Sequence, residues 1–170
     1  MRGSLSGRRV AVAVLSVLGF GIATYLALFQ AKVLHAVWDP LPGRGSAWIL
    51  RRSPLVRWLG FPDAALGIVA YAAEVVLDVW GGEGRASEHP TVVAALGVLA
   101  GGMAAVALVL VALQAIFGHW CLLCLGSAVV SLVIAAVVEP EVGTAIRTLR
   151  ARRPDAPVSE TRRDSPVRTG

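Results

Sequence analysis

The chain has 170 residues, of which 56% are hydrophobic and 16% charged, and its mean hydropathy is +0.69. That balance excludes an ordinary soluble domain, and the length allows one domain. The 16 Lys and Arg outnumber the 11 Asp and Glu, but the arginines cluster at the two ends and in one loop, which points to membrane orientation and away from nucleic-acid binding.

Residues 1–9 form a short basic segment with Arg2, Arg8 and Arg9. The apolar run over residues 10–34 predicts a first transmembrane helix. It exceeds the core of a secretory leader, and no small-residue cleavage site precedes the polar loop. Lys32 is expected to snorkel to the interface. Residues 36–60 form a loop broken by Pro40, Pro42, Gly43 and Gly45. Within it, residues 47–59 alternate Trp48, Ile49, Leu50, Leu55, Val56 and Trp58 with Arg51, Arg52 and Arg57. This predicts an amphipathic half-helix on the membrane surface, interrupted at Pro54, with tryptophans in the interfacial belt.

A second span is predicted over residues 61–80, with Pro62 suited to a first helical turn and Asp63 complementing the dipole there. Asp78 reads as an ordinary residue near the inner interface. Glu74 reads as a functional candidate by its depth, or as the mark of a water-accessible inner vestibule. After the Gly-rich turn of residues 81–90, a third span is expected over 91–117. Gly97 and Gly101 offer it a small-residue face for helix contact, and Gln114 is its one strongly polar side chain. Gly118 and His119 alone separate it from a fourth span over 120–138. Residues 140–170 are expected to be a basic, largely disordered tail after one short helix.

The fold class is therefore an all-α membrane protein, residues 10–139 forming a bundle of four transmembrane helices with the half-helix in the first outer loop. Four spans place both termini on one side. The tail carries seven arginines and residues 1–9 carry three, so that side is expected to be cytoplasmic, even against the four arginines of the outer loop. The turn before the fourth span then faces the opposite, oxidising compartment.

That turn carries the chain's only two cysteines, in Trp120-Cys121-Leu122-Leu123-Cys124. A Cys-x-x-Cys spacing lets two thiols close a small ring on the first turn of a helix. The helix N-terminus can also stabilise a thiolate there. Packing of two cysteines as small hydrophobes is the plainer reading. A metal site drawing on Cys121, Cys124, His119 and His35 is a further one, short of the usual four-ligand set.

With these elements in place, residues 10–138 resemble the vitamin K epoxide reductase family, including its bacterial quinone-linked members. Cys121 and Cys124 match the family's Cys-x-x-Cys at the outer end of its last helix, and Trp120 precedes them as in many bacterial members. The stretch from Leu59-Gly60-Phe61-Pro62-Asp63 to Tyr71 looks like the family's approach to its second helix. The resemblance implies dithiol oxidation at Cys121 and Cys124 coupled to reduction of a ubiquinone- or menaquinone-class quinone in a bacterial inner or plasma membrane.

The resemblance also implies quinone contacts. Ser53 falls where the family has a functional serine in its half-helix, and Asp63 where some members carry a quinone-binding asparagine. Tyr71 and Gln114 complete the expected quinone-binding set. Cys124 is expected to be the buried thiolate facing the quinone. Cys121, nearer the surface, is expected to exchange with the incoming thiol, with His119 or Arg57 lowering the thiol pKa. Two departures stand out. The family's second cysteine pair is missing from the outer loop, where Ser46 or Ala47 stands near one of its positions. Ala128 replaces a tyrosine found in some members. The missing pair implies electrons taken directly from a separate thioredoxin-like protein or a small dithiol. The alternative is a non-catalytic quinone- or lipid-binding module, or a subunit of a membrane complex.

Overall fold

The computed structural model describes residues 2–38, 45–51, 62–80 and 85–152. Among the described residues six helices follow in order: α1 Arg2–Gln30, α2 Gly45–Arg51, α3 Asp63–Val79, α4 Arg85–Glu88, α5 Pro90–Phe117 and α6 Leu122–Ala151. No strand occurs among the described residues. Among the described residues three helices are long and apolar enough to cross a membrane, within Gly7–Gln30, Pro90–Phe117 and Leu122–Ala151. The predicted second span corresponds to α3, whose 17 residues extend about 26 Å at 1.5 Å per residue.

The helices pair as α1 on α3 and α5 on α6, with further contacts of α1 on α6 and α3 on α5. Polar side chains turn inward: Ser16, Glu74, Asp78, Gln114 and Ser131 are all buried. Large apolar ones turn outward, with Val98 78% and Ile116 75% exposed. This inversion of the soluble pattern is what lipid demands, since an unpaired polar group is costly in hydrocarbon and an exposed valine is not.

Each helix end has a local cause. Beyond Gln30 the backbone curls back, with Val33 N–H on Leu28 O at 3.0 Å and Lys32 in the left-handed region at φ 62°. The predicted first span thus stops as a helix at Gln30. Gly118, at φ 66°, closes α5, and its N–H bonds to the carbonyls of Ala115 and Gln114. Helix α6 passes through Pro140 and continues to Ala151. Thr144 Oγ1 returns a hydrogen bond to Pro140 O at 3.2 Å, and Arg152 Nη2 ties the far end to Ser87 O at 2.8 Å. The helical part of the predicted tail is therefore a direct extension of the last span, and residues 153–170 lie outside the described residues.

Gly97 sits against Val142 of α6, where a Cβ would overlap the valine, whereas Gly101 faces open space. Of the predicted small-residue face, only Gly97 is a close contact.

Two apolar clusters fill the bundle. One joins Val12, Ala23, Tyr71, Leu96, Ala100, Val130, Ile134 and Val138. The other gathers Leu26, Phe29, Leu50 and Cys121, flanked by Ala47, Ala64, Leu123 and Cys124. The second cluster carries the cysteines.

Candidate functional site

Because Gly118 ends α5 abruptly, His119, Trp120 and Cys121 lie outside regular structure before α6 begins. Cys121, at φ −116° and ψ 107°, is the N-cap of α6, and its Sγ accepts a hydrogen bond from Cys124 N–H at 3.2 Å. The two cysteines form a disulfide with Cα atoms 5.2 Å apart. The expected small ring on the first helical turn is thus present.

The burial order of the two sulfurs is the reverse of the sequence expectation. Cys121 is fully buried, whereas Cys124 is half-buried. The reason is tertiary. Cys121 precedes the helix and lies beneath Leu26, Phe29 and Leu50, while Cys124 sits on the rim of the first turn.

Helix α2 provides part of that cover, through Leu50, and α1 the rest. Residues 45–51 are the described part of α2, and residues 52–61, which hold the rest of the predicted half-helix with Ser53 and Arg57, lie outside the described residues. Leu50 packs with Cys121, and Ala47 packs against the same cluster. Trp48 does not only anchor the helix: its indole stacks on His119 at 4.0 Å and lies 5.8 Å from the Phe117 ring. His119 Nδ1 bonds to Phe117 O at 2.7 Å.

The other expected quinone contacts have partners within the chain. Gln114 is buried, and its Oε1 accepts the Cys121 N–H at 2.7 Å. Asp63 Oδ1 accepts from Gln30 Nε2. The same Gln30 accepts Ala64 N–H at 3.2 Å and reaches Leu50 O at 3.5 Å, so it joins α1, α2 and α3 at the cysteine end. Tyr71 stretches from α3 to α6, its hydroxyl within 3.0 Å of Ser127 Oγ and 2.9 Å of Ser131 Oγ.

Sequence reasoning missed Gln30, Ser127 and Ser131. Ser127 and Ser131 were legible as a four-residue repeat on the face of α6 that follows Cys124, a spacing that aligns side chains on a helix. Gln30 was legible only as a polar residue closing an apolar run.

Deeper in the bundle, Glu74 is fully buried. One oxygen accepts from Ser16 Oγ at 3.2 Å and the other, Oε1, has no partner among the described residues. Asp78, expected near the interface, is also buried, and its backbone carbonyl accepts Arg9 Nη2 at 2.7 Å. No group of three or more His, Cys, Asp or Glu side chains assembles a metal site among the described residues.

The arrangement can therefore do dithiol–disulfide chemistry at the rim of an apolar cluster. Gln114 holds the backbone of the cysteine turn, the Gln30–Asp63 pair also reaches Leu50 of the cysteine cluster, and Tyr71 with its two serines belongs to the other cluster. Residues 10–138 match the family model described as the vitamin K epoxide reductase family. No curated protein and no solved structure matches the chain.

Proposed function

The chain belongs to the vitamin K epoxide reductase family, and from that premise we propose that it is a membrane oxidoreductase that oxidises dithiols at Cys121–Cys124 and passes the electrons to a quinone. The observation that carries this reading is the disulfide itself, closed across the N-terminal turn of α6 with Cys121 as its cap. A helix N-terminus favours the thiolate form on which exchange depends.

The chemistry balances in two halves. A donor thiolate attacks one sulfur of the pair, the Cys121–Cys124 bond breaks, and a second donor thiol resolves the mixed disulfide. The donor leaves oxidised and the pair is left as two thiols. The pair then gives up two electrons and two protons as its S–S bond re-forms. A bound quinone supplies the acceptor for both electrons and both protons. Its fit rests on the chemistry of the site: apolar walls from Leu26, Phe29, Leu50, Ala64 and Leu123 with few polar groups, the usual make-up of such a pocket. Gln30 with Asp63 and Tyr71 with Ser127 are the groups that would orient it, with Ser53 as the half-helix contact.

The family's loop cysteines have no counterpart over residues 36–60. The electron donor is therefore a separate thioredoxin-like protein or a small dithiol. The membrane is a bacterial inner or plasma membrane. Helix α3 serves as a fourth span, which sets both basic termini on the cytoplasmic side and the cysteines at the outer face, where disulfide chemistry is favoured.

A second reading, a quinone- or lipid-binding module without turnover, draws on the complete burial of Cys121. Replacing both Cys121 and Cys124 by serine separates the two. Loss of quinone reduction with quinone still bound supports the oxidoreductase. Quinone reduction that survives the double substitution excludes this site as its source.

A further inference from the structure

Gln114 is an anomaly on α5, where it is the one buried amide in a helix otherwise apolar but for Thr91. It lies four residues before the helix-ending Gly118 and seven before Cys121. Both of its oxygens are used on the turn that follows. Its backbone carbonyl accepts His119 N–H at 3.2 Å, and its side-chain Oε1 accepts Cys121 N–H at 2.7 Å. The amide orientation is fixed by chemistry, since a backbone N–H can only donate and the carbonyl oxygen is the one acceptor a glutamine side chain has. One residue thereby holds both ends of the connection from His119 to Cys121. At its end, Cys121 Sγ rests on the Cys124 N–H.

We propose that Gln114 is a positioning residue that makes Cys121 the sulfur bearing the charge when the pair is reduced. The inference rests on the redox reading above and deepens it. By holding the Cys121 N–H, Gln114 keeps Sγ at the open N–H groups of α6. A thiolate there receives a charge-assisted hydrogen bond and the favourable end of the helix dipole. Cys124, three residues on, contributes its N–H to that cap and has no equivalent cap of its own among the hydrogen bonds of the turn. The buried cysteine is then the more acidic of the two, contrary to what burial alone dictates.

The test uses the full-length reduced protein in detergent. Thiolate absorbance is titrated against pH with one cysteine present at a time, Cys124→Ala reporting Cys121 and Cys121→Ala reporting Cys124. Cys121 is expected to ionise at the lower pH. Gln114→Leu, or Gln114→Asn, which withdraws the same oxygen by one methylene, is expected to move the Cys121 titration upward and leave that of Cys124 in place. In the two-cysteine protein either substitution shifts the equilibrium with dithiothreitol about tenfold toward the disulfide, the worth of one hydrogen bond to a charged group, which corresponds to about 30 mV. A general loosening of the fold would move both cysteines together. A Cys121 titration that is unchanged in both variants, or one that lies above Cys124 in the parent, overturns the proposal. Quinone oxidation of the parent's thiols is measured alongside. Its failure with the titrations as expected removes the redox reading while leaving the positioning intact.

Discussion

The indole of Trp48 lies on the imidazole of His119 with ring centroids 4.0 Å apart and planes 14° from parallel. This stack joins α2 to the turn that carries Cys121, two residues further along the chain. With Leu50 against the sulfur cluster, α2 forms the roof over the buried cysteine. An incoming thiol reaches Cys121 only if that roof lifts, or else enters at the half-buried Cys124.

Trp48→Ala removes the stack, and an aromatic pair contributes about 1 kcal/mol beyond its buried area. The expected outcome is a several-fold faster reduction of the Cys121–Cys124 disulfide by dithiothreitol, with a small loss of thermal stability in detergent. An unchanged reduction rate would show that α2 does not control access.

Ala47, expected with Ser46 near one of the family's loop-cysteine positions, packs against the cluster that contains Cys121. A thiol introduced there by Ala47→Cys is expected to pair with Cys121 when Cys124 is replaced by alanine. Mass spectrometry of the oxidised, alkylated protein reads the linkage. Two free thiols under mild oxidant would show that α2 and the turn are too far apart for exchange, since a disulfide needs Cα atoms within about 7 Å.

Gly19 lies against Tyr71, and a Cβ at that position would run into the phenol ring. Gly19→Ala is therefore expected to lower stability by about 1–3 kcal/mol, the usual result of overpacking. It should also displace the Tyr71 hydroxyl from Ser127 and Ser131. Gly101→Ala, which meets nothing within 4 Å, serves as the comparison and should leave the melting temperature nearly unchanged. Thermal unfolding in one detergent decides between them.

Much of this was legible in the residues. The Cys121–Cys124 pair, the tight turn at Gly118 and the long span before it follow from spacing, a single glycine and an unbroken apolar run. The burial order of the cysteines was not legible, because it depends on α2 folding back over the turn, a contact between residues about seventy apart in sequence. Gln114 was read as a quinone donor for the sound reason that a buried amide in an apolar helix needs a purpose. Its bond to the Cys121 N–H becomes visible only once the left-handed Gly118 reverses the chain. Pro140, which removes one backbone donor, lies just beyond the predicted fourth span. The helix continues through it nonetheless, with Val138 and Ala145 on either side both buried, so packing outweighs the lost bond.

Gln30 illustrates a different limit. It closes an apolar run and gave no pattern, yet it bonds to Leu50, Asp63 and Ala64 on two other helices. Gln30→Leu is expected to leave the half-buried N–H of Ala64 without its partner, at about 1 kcal/mol, and to raise the KM for a quinone analogue more than it lowers kcat. Asp63→Asn, which keeps an acceptor for Gln30, should have the smaller effect on KM. Equal effects of the two substitutions would separate Gln30 from quinone binding.

The most direct measurement is a thiol count. The purified protein is reduced, freed of reductant, mixed anaerobically with a ubiquinone or menaquinone analogue, and titrated with a maleimide. The expected result is loss of both Cys121 and Cys124 thiols with one quinone reduced per protein. Two thiols that persist in the presence of bound quinone would contradict the oxidoreductase reading and leave a binding module in its place.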